Sequence, residues 1–187
     1  MSGDLATAQR EVRYAYRSTS VGQIYVGLVW LVSAAVWTFV GTTAGVLVLL
    51  IGGVFIYPVA ALVSRALGSP GVIPRTNPLR EAGVTIPIVG ALGIPVAGAA
   101  ALYDIDWFYP AFMVIMGAHY LPFSHLYGMR VFVPLGAAMW LGGIAFGLWA
   151  PESSVGGAWL TGLALLTVGI WAARRHHVEY ANPDELG

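Results

Sequence analysis

Long apolar segments alternate with short polar connections along most of the sequence. Because a helix of about 20 apolar residues crosses the roughly 30 Å hydrocarbon core of a bilayer, six of these segments have the length of a transmembrane span. The connections are rich in Gly, Pro or charged residues, as is usual for turns between helices. The pattern predicts an all-α membrane protein, a bundle of six transmembrane helices with spans at residues 20–40, 44–67, 79–102, 107–127, 131–149 and 156–173.

The residues before the first span have the spacing of an amphipathic helix. Leu5, Ala8 and Val12 fall on one side of that helix, and Arg10 and Arg13 fall on the other. This pattern predicts a short interfacial N-terminal helix whose arginines face anionic lipid headgroups. No small-residue cleavage pattern follows the first span, so we do not expect a signal peptide.

Several predicted spans contain prolines. Pro58 lies in the second span, Pro87 and Pro95 lie in the third, and Pro122 lies in the fourth. Because proline removes a backbone donor and its ring collides with the preceding turn, we expect bends at these positions, especially in the third and fourth helices.

The composition agrees with lipid as the main solvent of the chain. Of 187 residues, 58% are hydrophobic and 10% are charged, which leaves too little polar surface to cover a soluble core. We therefore expect one integral-membrane domain over residues 1–187. The sequence has no cysteine and no lysine, which excludes disulfides, thiolate metal sites and lysine Schiff bases. A net charge of zero argues against nucleic acid as a partner.

All nine basic residues are arginines, and their distribution predicts the topology. With six spans and a cytoplasmic N-terminus, every arginine falls in a cytoplasmic segment or at a cytoplasmic helix end, while Asp104, Asp106 and Glu152 fall in the outer turns. One span more or fewer would place some arginines outside. We therefore expect a multi-pass protein of the plasma membrane with both termini in the cytoplasm.

The segment from Trp107 to Arg130 contains most of the residues with functional chemistry. His119 lies near the middle of the predicted fourth span, and an ionisable side chain at that depth normally faces the bundle interior and has a function. Pro122 leaves the carbonyl of Ala118 without its usual donor, beside His119. The sequence predicts a polar ligand-binding vestibule that opens to the cytoplasm, formed by His119, Tyr120, Ser124, Tyr127, Arg130, Arg80 and Glu81.

A structural role for His119 stays open beside this prediction. The ring would then donate a hydrogen bond to Thr85 on a neighbouring helix, or to a carbonyl freed by a proline, and so fix the register of the bundle.

The histidines do not predict a metal or cofactor site. His119 and His125 are six residues apart, about 240° around a helix, and the predicted spans hold no Asp or Glu apart from Glu81 at the start of the third. Haem bound by His119 would need an axial ligand from a second helix, and no other histidine lies at that depth. We expect no metal and no cofactor.

Two segments resemble a known family: NPLREAG at residues 77–83 and GAHYLPFSHLYGMR at residues 117–130. They are similar to an uncharacterised family of small bacterial membrane proteins, classed as a domain of unknown function. The resemblance implies a multi-pass fold over most of the chain. It implies no activity and supplies no catalytic or binding residues.

Three functions remain open from the sequence. The first is binding or transport of a small neutral, anionic or amphipathic ligand, because arginines suit phosphate or carboxylate groups and no carboxylate lies near the middle of a span for cation coupling. The second is a non-catalytic subunit that assembles with copies of itself or with other membrane proteins through small-residue faces such as Gly143 and Gly147. The third is an enzyme that uses His119 as general acid or base on a lipid-phase substrate. It ranks last because no carboxylate is placed to orient the ring.

Overall fold

The computed structural model describes residues 2–180, and the side chains of residues 4–180. Within this part of the chain every regular element is helical, which confirms the all-α fold. The nine α-helices are α1 Ser2–Ala15, α2 Ser20–Phe39, α3 Thr42–Val54, α4 Ile56–Ala66, α5 Arg80–Leu92, α6 Ile94–Tyr103, α7 Phe108–Tyr127, α8 Phe132–Trp149 and α9 Ser154–Glu179. The N-terminal residue and residues 181–187, which are part of the predicted cytoplasmic termini, lie outside the described residues.

Four helical stretches of the described chain are long and apolar enough to cross a membrane: Arg17–Phe39, Arg80–Tyr103, Phe132–Trp149 and Pro151–Glu179. A fifth is added if α3 and α4, which meet at a bend of 50°, form one span. These apolar helices are compatible with a membrane protein. The structure thus supports four or five spans, where the sequence pattern predicted six.

The predicted fourth span, α7, is the segment that accounts for the difference. It has 20 residues, but its histidines, serine and tyrosines leave it without a span-length stretch as apolar as those in α2, α8 and α9. Ten of its residues are buried, whereas α5 and α6 together bury only Gly90 and Ala97. A helix covered by its neighbours can hold polar side chains that a lipid-facing helix cannot. The low hydropathy of α7 therefore reflects its central position in the bundle.

The proline bends follow the sequence in two of three helices. The second predicted span breaks at Phe55, three residues before Pro58, and the third breaks at Gly93, two residues before Pro95. At Pro87, where a bend was also predicted, α5 continues without a break. In the fourth span the structure differs from the prediction, because α7 continues through Pro122 without a break. Large buried side chains flank Pro122 on both sides, and Tyr120 and Phe123 pack in the core. This packing holds the helix together although one backbone hydrogen bond is missing.

Two helix pairs, α2 with α9 and α7 with α8, form the closely packed part of the bundle. Glycines allow the close approach: a Cβ on Gly27 would lie 2.8 Å from the Leu166 amide nitrogen, and one on Gly143 would lie 2.6 Å from the Pro110 carbonyl oxygen. The sequence suggested Gly143 as part of an assembly surface. In the structure it packs against α7 of the same chain.

Helix α1 packs across one end of the bundle. Ala8 and Val12 are buried, as the amphipathic pattern predicted, whereas Leu5 on the same side is 38% exposed. Arg13, however, does not face outward: it forms an ion pair of 2.7 Å with Glu179 at the end of α9, and its Nη1 donates to the Tyr127 carbonyl at 2.8 Å. The carboxylate and the carbonyl at the ends of α9 and α7 give the guanidinium charge-assisted hydrogen bonds within the protein.

The link between α1 and α2 is a left-handed turn. Arg17, Ser18 and Thr19 have φ values of 50°, 55° and 59°, a conformation that costs roughly 1–2 kcal/mol per non-glycine residue. Contacts on several sides stabilise it: Arg17 Nη1 donates to the Leu67 carbonyl at 3.0 Å, and Ser18 Oγ lies 3.3 Å from His176 Nδ1. The turn is therefore fixed by the rest of the bundle.

The opposite end of the bundle is acidic. Asp104 and Asp106 lie in the turn between α6 and α7, and Glu152 lies in the turn between α8 and α9. Burial and the neighbouring carboxylates of Asp104 and Glu152 raise the pKa of Asp106. The two turns are close together in space although some 45 residues separate them in sequence.

Candidate functional site

A cavity of about 100 Å³ lies between α2, α4, α5 and α7, under the turn that follows α1. Its wall is mixed, with aromatic and aliphatic side chains between the polar ones. The polar side chains on the wall are Tyr16, Thr19, Gln23, Tyr57, His119, Tyr120 and Tyr127.

The cavity exists because large side chains hold α2 and α7 apart. Toward the acidic end, Trp30 packs against Tyr109 and Phe112 with ring centroids 5.9 Å and 5.6 Å apart. Ser33 fixes this layer, since its Oγ lies 2.7 Å from the Tyr109 hydroxyl and donates to the Gly45 carbonyl at 2.8 Å. Below this aromatic layer the helices stay apart, and the space between them is left open.

Neutral polar groups form a network on the cavity wall. The Tyr120 hydroxyl donates to Gln23 Oε1 at 3.1 Å, and the side chains of Tyr127 and Thr19 are hydrogen-bonded. Thr19 is the last residue of the left-handed turn, so the strained backbone places this hydroxyl at the cavity.

His119 lies where α7 meets α5. A Cβ on Gly90 would lie 2.6 Å from His119 Nδ1, so the ring fits against α5 because position 90 has no side chain. Nδ1 is buried and has no hydrogen-bond partner among the described residues, although the backbone of Ile86 interacts with the ring. On the α7 side, Phe123 contacts the imidazole edge-on at 5.0 Å between centroids.

The cavity is closed at the end of the bundle and less closed at its flank. Thr19, Ile73 and Tyr127, which line it near α1, are all buried. Tyr57 on α4 is the most exposed lining side chain, at 48%. The predicted vestibule toward the cytoplasm is therefore covered by α1 and the 67–79 connection, and the open side lies between α4 and α5.

Comparison with known proteins places the chain in a family. The model of a family of unknown function, DUF7010, matches residues 5–175. The chain belongs to this family. No curated protein and no solved structure matches the chain significantly. The match confirms the predicted membership of an uncharacterised family, while the bacterial origin of that family, its multi-pass fold and its GAHYLPFSHLYGMR-like segment stay predictions.

Every residue on the cavity wall lies within the segment that matches the DUF7010 family. Of the seven residues predicted for the site, His119, Tyr120 and Tyr127 line the cavity. Ser124 lies elsewhere on α7, where its hydroxyl donates to the Leu121 carbonyl at 2.8 Å. Arg130 is exposed beyond the end of α7.

Arg80 and Glu81 are exposed at the start of α5 and do not line the cavity. Arg80 still acts on the site electrostatically. Burial raises the pKa of the Tyr16 phenol, and the nearby guanidiniums of Arg65 and Arg80 partly oppose that increase. The structure thus places positive charge near the site without placing any on its wall.

Four wall residues were not predicted from the sequence: Tyr16, Thr19, Gln23 and Tyr57. Gln23 carried a usable signal, because it is the only amide side chain within the predicted first span. Tyr16 and Thr19 carried none, since their positions depend on the left-handed turn.

The described residues contain no group of three or more His, Asp or Glu side chains that could hold a metal ion. The wall polar groups are hydroxyls, one amide and one imidazole. This set can bind a ligand by hydrogen bonds and aromatic contacts.

Proposed function

We propose that this protein is a multi-pass protein of the plasma membrane that binds or transports a small molecule, and that the molecule binds in the cavity beside His119. The observation that supports the proposal most directly is a cavity with seven polar side chains, enclosed by apolar helices that are compatible with a membrane. Buried polar groups are costly in such surroundings unless they have partners, and His119 Nδ1 is buried without one among the described residues. A bound ligand adds partners for the polar groups that the wall network leaves unpaired.

The proposal is tested by what the purified protein retains. Wild-type protein extracted from native membranes into nanodiscs should release a small molecule on denaturation, detectable by mass spectrometry. Tyr120→Phe and His119→Ala should reduce its amount at least fivefold, because both side chains line the cavity. Tyr25→Phe is the matched control, since it removes a tyrosine hydroxyl that donates to the Gly52 carbonyl away from the cavity. Equal retention by all four proteins would refute the proposal.

We also propose six crossings with both termini in the cytoplasm, in which α7 crosses although its hydropathy is low. The support is the clustering of Asp104, Asp106 and Glu152 at one end of the bundle, opposite α1 and its arginines. The native sequence lacks cysteine, so single cysteines can report on sidedness. Glu152→Cys should react with an impermeant maleimide in intact cells, and Arg75→Cys only after permeabilisation.

The crossing of α7 has its own test. Asp104→Cys and Arg130→Cys flank this helix, and the proposal requires that only Asp104→Cys is labelled in intact cells. Labelling of both from the same side would show that α7 does not cross, and would reduce the count to the four or five spans that length and composition support.

A second candidate is an accessory subunit of a membrane complex. It is favoured by an apolar groove of about 300 Å³ on the outer face of α6, α7 and α8, which includes Val96, Ile144 and Leu148. Exposed apolar grooves often receive a partner helix. Under this alternative, crosslinking from Leu148 in native membranes would give a discrete heteromeric product, and the His119 variants would leave ligand retention unaffected.

A further inference from the structure

We propose that the ligand enters the cavity from the bilayer, through the gap between α4 and α5, and that it is a neutral, oxygen-bearing ring or similarly compact head on an apolar tail. This inference rests on the proposed function and specifies the class and the route of the ligand.

The route follows from the way the helices pack. Helix α4 packs on α2 and α5 packs on α7, while α4 and α5 make almost no contact with each other. Two small residues, Ala60 on α4 and Gly83 on α5, line the cavity at this gap, where the side chain of Ile73 packs against Gly83. The most exposed wall residue, Tyr57, also lies here. Because α4 and α5 face outward along much of their length, the gap opens toward the surrounding lipid.

The alternative route through the end of the bundle is blocked by specific contacts. Asn77 Nδ2 donates to the Ala8 carbonyl at 3.0 Å and to Glu11 Oε2 at 2.8 Å, which fastens the 67–79 connection to α1. Arg13 fastens α1 to α9 through Glu179. A solute from the water would have to displace α1, whereas a lipid-soluble molecule needs no such opening.

The charge of the ligand follows from the wall. No Arg, Asp or Glu of the described chain lines the cavity. Arg65 and Arg80 lie close enough to influence Tyr16, yet both are exposed. An ionised head in the cavity would lose its hydration without gaining a counter-charge, which is costly in an apolar medium. The head is therefore neutral. Of the neutral, anionic or amphipathic ligands expected from the sequence, this excludes those with an anionic head.

The size and chemistry of the head follow from the volume and the donors. A dry cavity of about 150 Å³ is sufficient to hold benzene, so about 100 Å³ with an open flank accepts one small ring and not a large solute. Gln23 Oε1 accepts from Tyr120, which leaves the Gln23 amide group to donate. With the Tyr57 hydroxyl on the open side, the wall suits a ligand that carries a hydroxyl or carbonyl oxygen. The tail remains in the gap and the lipid.

The test compares three defined probes and two tryptophan variants in nanodiscs, with isothermal titration calorimetry as the readout. The probes are 4-decylphenol, decyl phosphate with the same tail and an anionic head, and glycerol as a neutral water-soluble solute. Ala60→Trp fills the gap from α4. Leu62→Trp adds the same side chain at a position that is 63% exposed and does not line the cavity, which controls for altered lipid partitioning.

We expect saturable binding of 4-decylphenol, at one per chain, to wild type and to Leu62→Trp within a factor of two. Ala60→Trp should weaken it at least tenfold, and decyl phosphate should bind wild type at least tenfold more weakly. Ala60→Phe adds a smaller side chain, so its affinity for 4-decylphenol should lie between those of wild type and Ala60→Trp. It replaces Ala60→Trp if that variant fails to fold. Equal binding of the two tailed probes would overturn the neutral head, and unchanged binding in both Ala60 variants would overturn the route.

The outcomes separate this inference from the proposed function. If glycerol binds in a manner that depends on His119 while 4-decylphenol does not bind, the binding function stands and the lipid-derived ligand is refuted. If His119→Ala and Tyr120→Phe change neither retention of the native ligand nor binding of any probe, the proposed function itself is refuted.

Discussion

The interface between α7 and α8 gives a sharp prediction, because Gly117 lies at a close approach of the two helix backbones. A Cβ at this position would lie 2.6 Å from the Trp140 amide nitrogen and 2.7 Å from the Gly136 carbonyl oxygen. Non-bonded atoms normally stay about 3.5 Å apart, so Gly117→Ala must move the helices by roughly 1 Å. Both obstructing groups are backbone atoms, which cannot be relieved by rotating a side chain.

The expected cost of Gly117→Ala is about 1–3 kcal/mol of unfolding free energy, the usual range for overpacking. Alanine in place of glycine in a helix recovers only about 0.5–1 kcal/mol. Gly98→Ala is the matched control, since nothing lies within 4 Å of its Cβ, and it should stabilise by about that recovered amount. The measurement is reversible unfolding in mixed micelles with increasing dodecyl sulfate, followed by tryptophan fluorescence. A Gly117→Ala protein as stable as wild type would refute the close approach of α7 and α8.

Three further predictions concern the ends of the bundle and its aromatic layer. Ser33→Ala should cost about 1–3 kcal/mol in the same unfolding assay, because it removes the hydrogen bonds to Tyr109 and to a backbone carbonyl, and a cost near zero would contradict the buried network. Arg13→Gln should cost roughly 1 kcal/mol more than Glu179→Gln, since only the arginine also donates to a backbone carbonyl; equal costs would contradict that bond. The pKa of Asp106 is higher in the folded state than its unfolded-state value of 3.8. The folded protein therefore keeps its full stability below pH 3.8, where the carboxyl is protonated in both states, and loses part of it as the pH rises through the pKa of the folded state. Asp106→Asn should therefore stabilise the protein at pH 7 and have no effect at pH 3, as unfolding across this pH range will show.

Much of the helical layout could be predicted from apolar segment length and proline position. The break before Pro58 follows from the missing donor, and burial of Val12 follows from the amphipathic period of α1. Arg13 could not be placed in the same way, because its position opposite Glu179 depends on a contact between the first and last helices. Long-range pairs of this kind leave no local pattern in the sequence.

The candidate site shows the same limit. His119 and Tyr120 could be identified from their depth in an apolar segment, since polar side chains there must find partners. Thr19 could not be identified, because threonine beside a serine at a helix start usually predicts an ordinary cap and not a left-handed backbone. The open side between α4 and α5 could not be predicted from the sequence either, because it depends on which helices of the bundle do not contact each other.

The left-handed turn at Arg17–Thr19 bears on the order in which the chain assembles. Its partner His176 lies on α9, as does Glu179, which pairs with Arg13 of α1, and the Tyr180 hydroxyl donates to the Arg10 carbonyl at 2.8 Å. Before α9 has inserted, the turn lacks these partners and keeps only contacts with earlier elements, such as the hydrogen bond from Arg17 to the Leu67 carbonyl, to compensate its strain. Helix α1 therefore reaches its final position only after α9 has inserted.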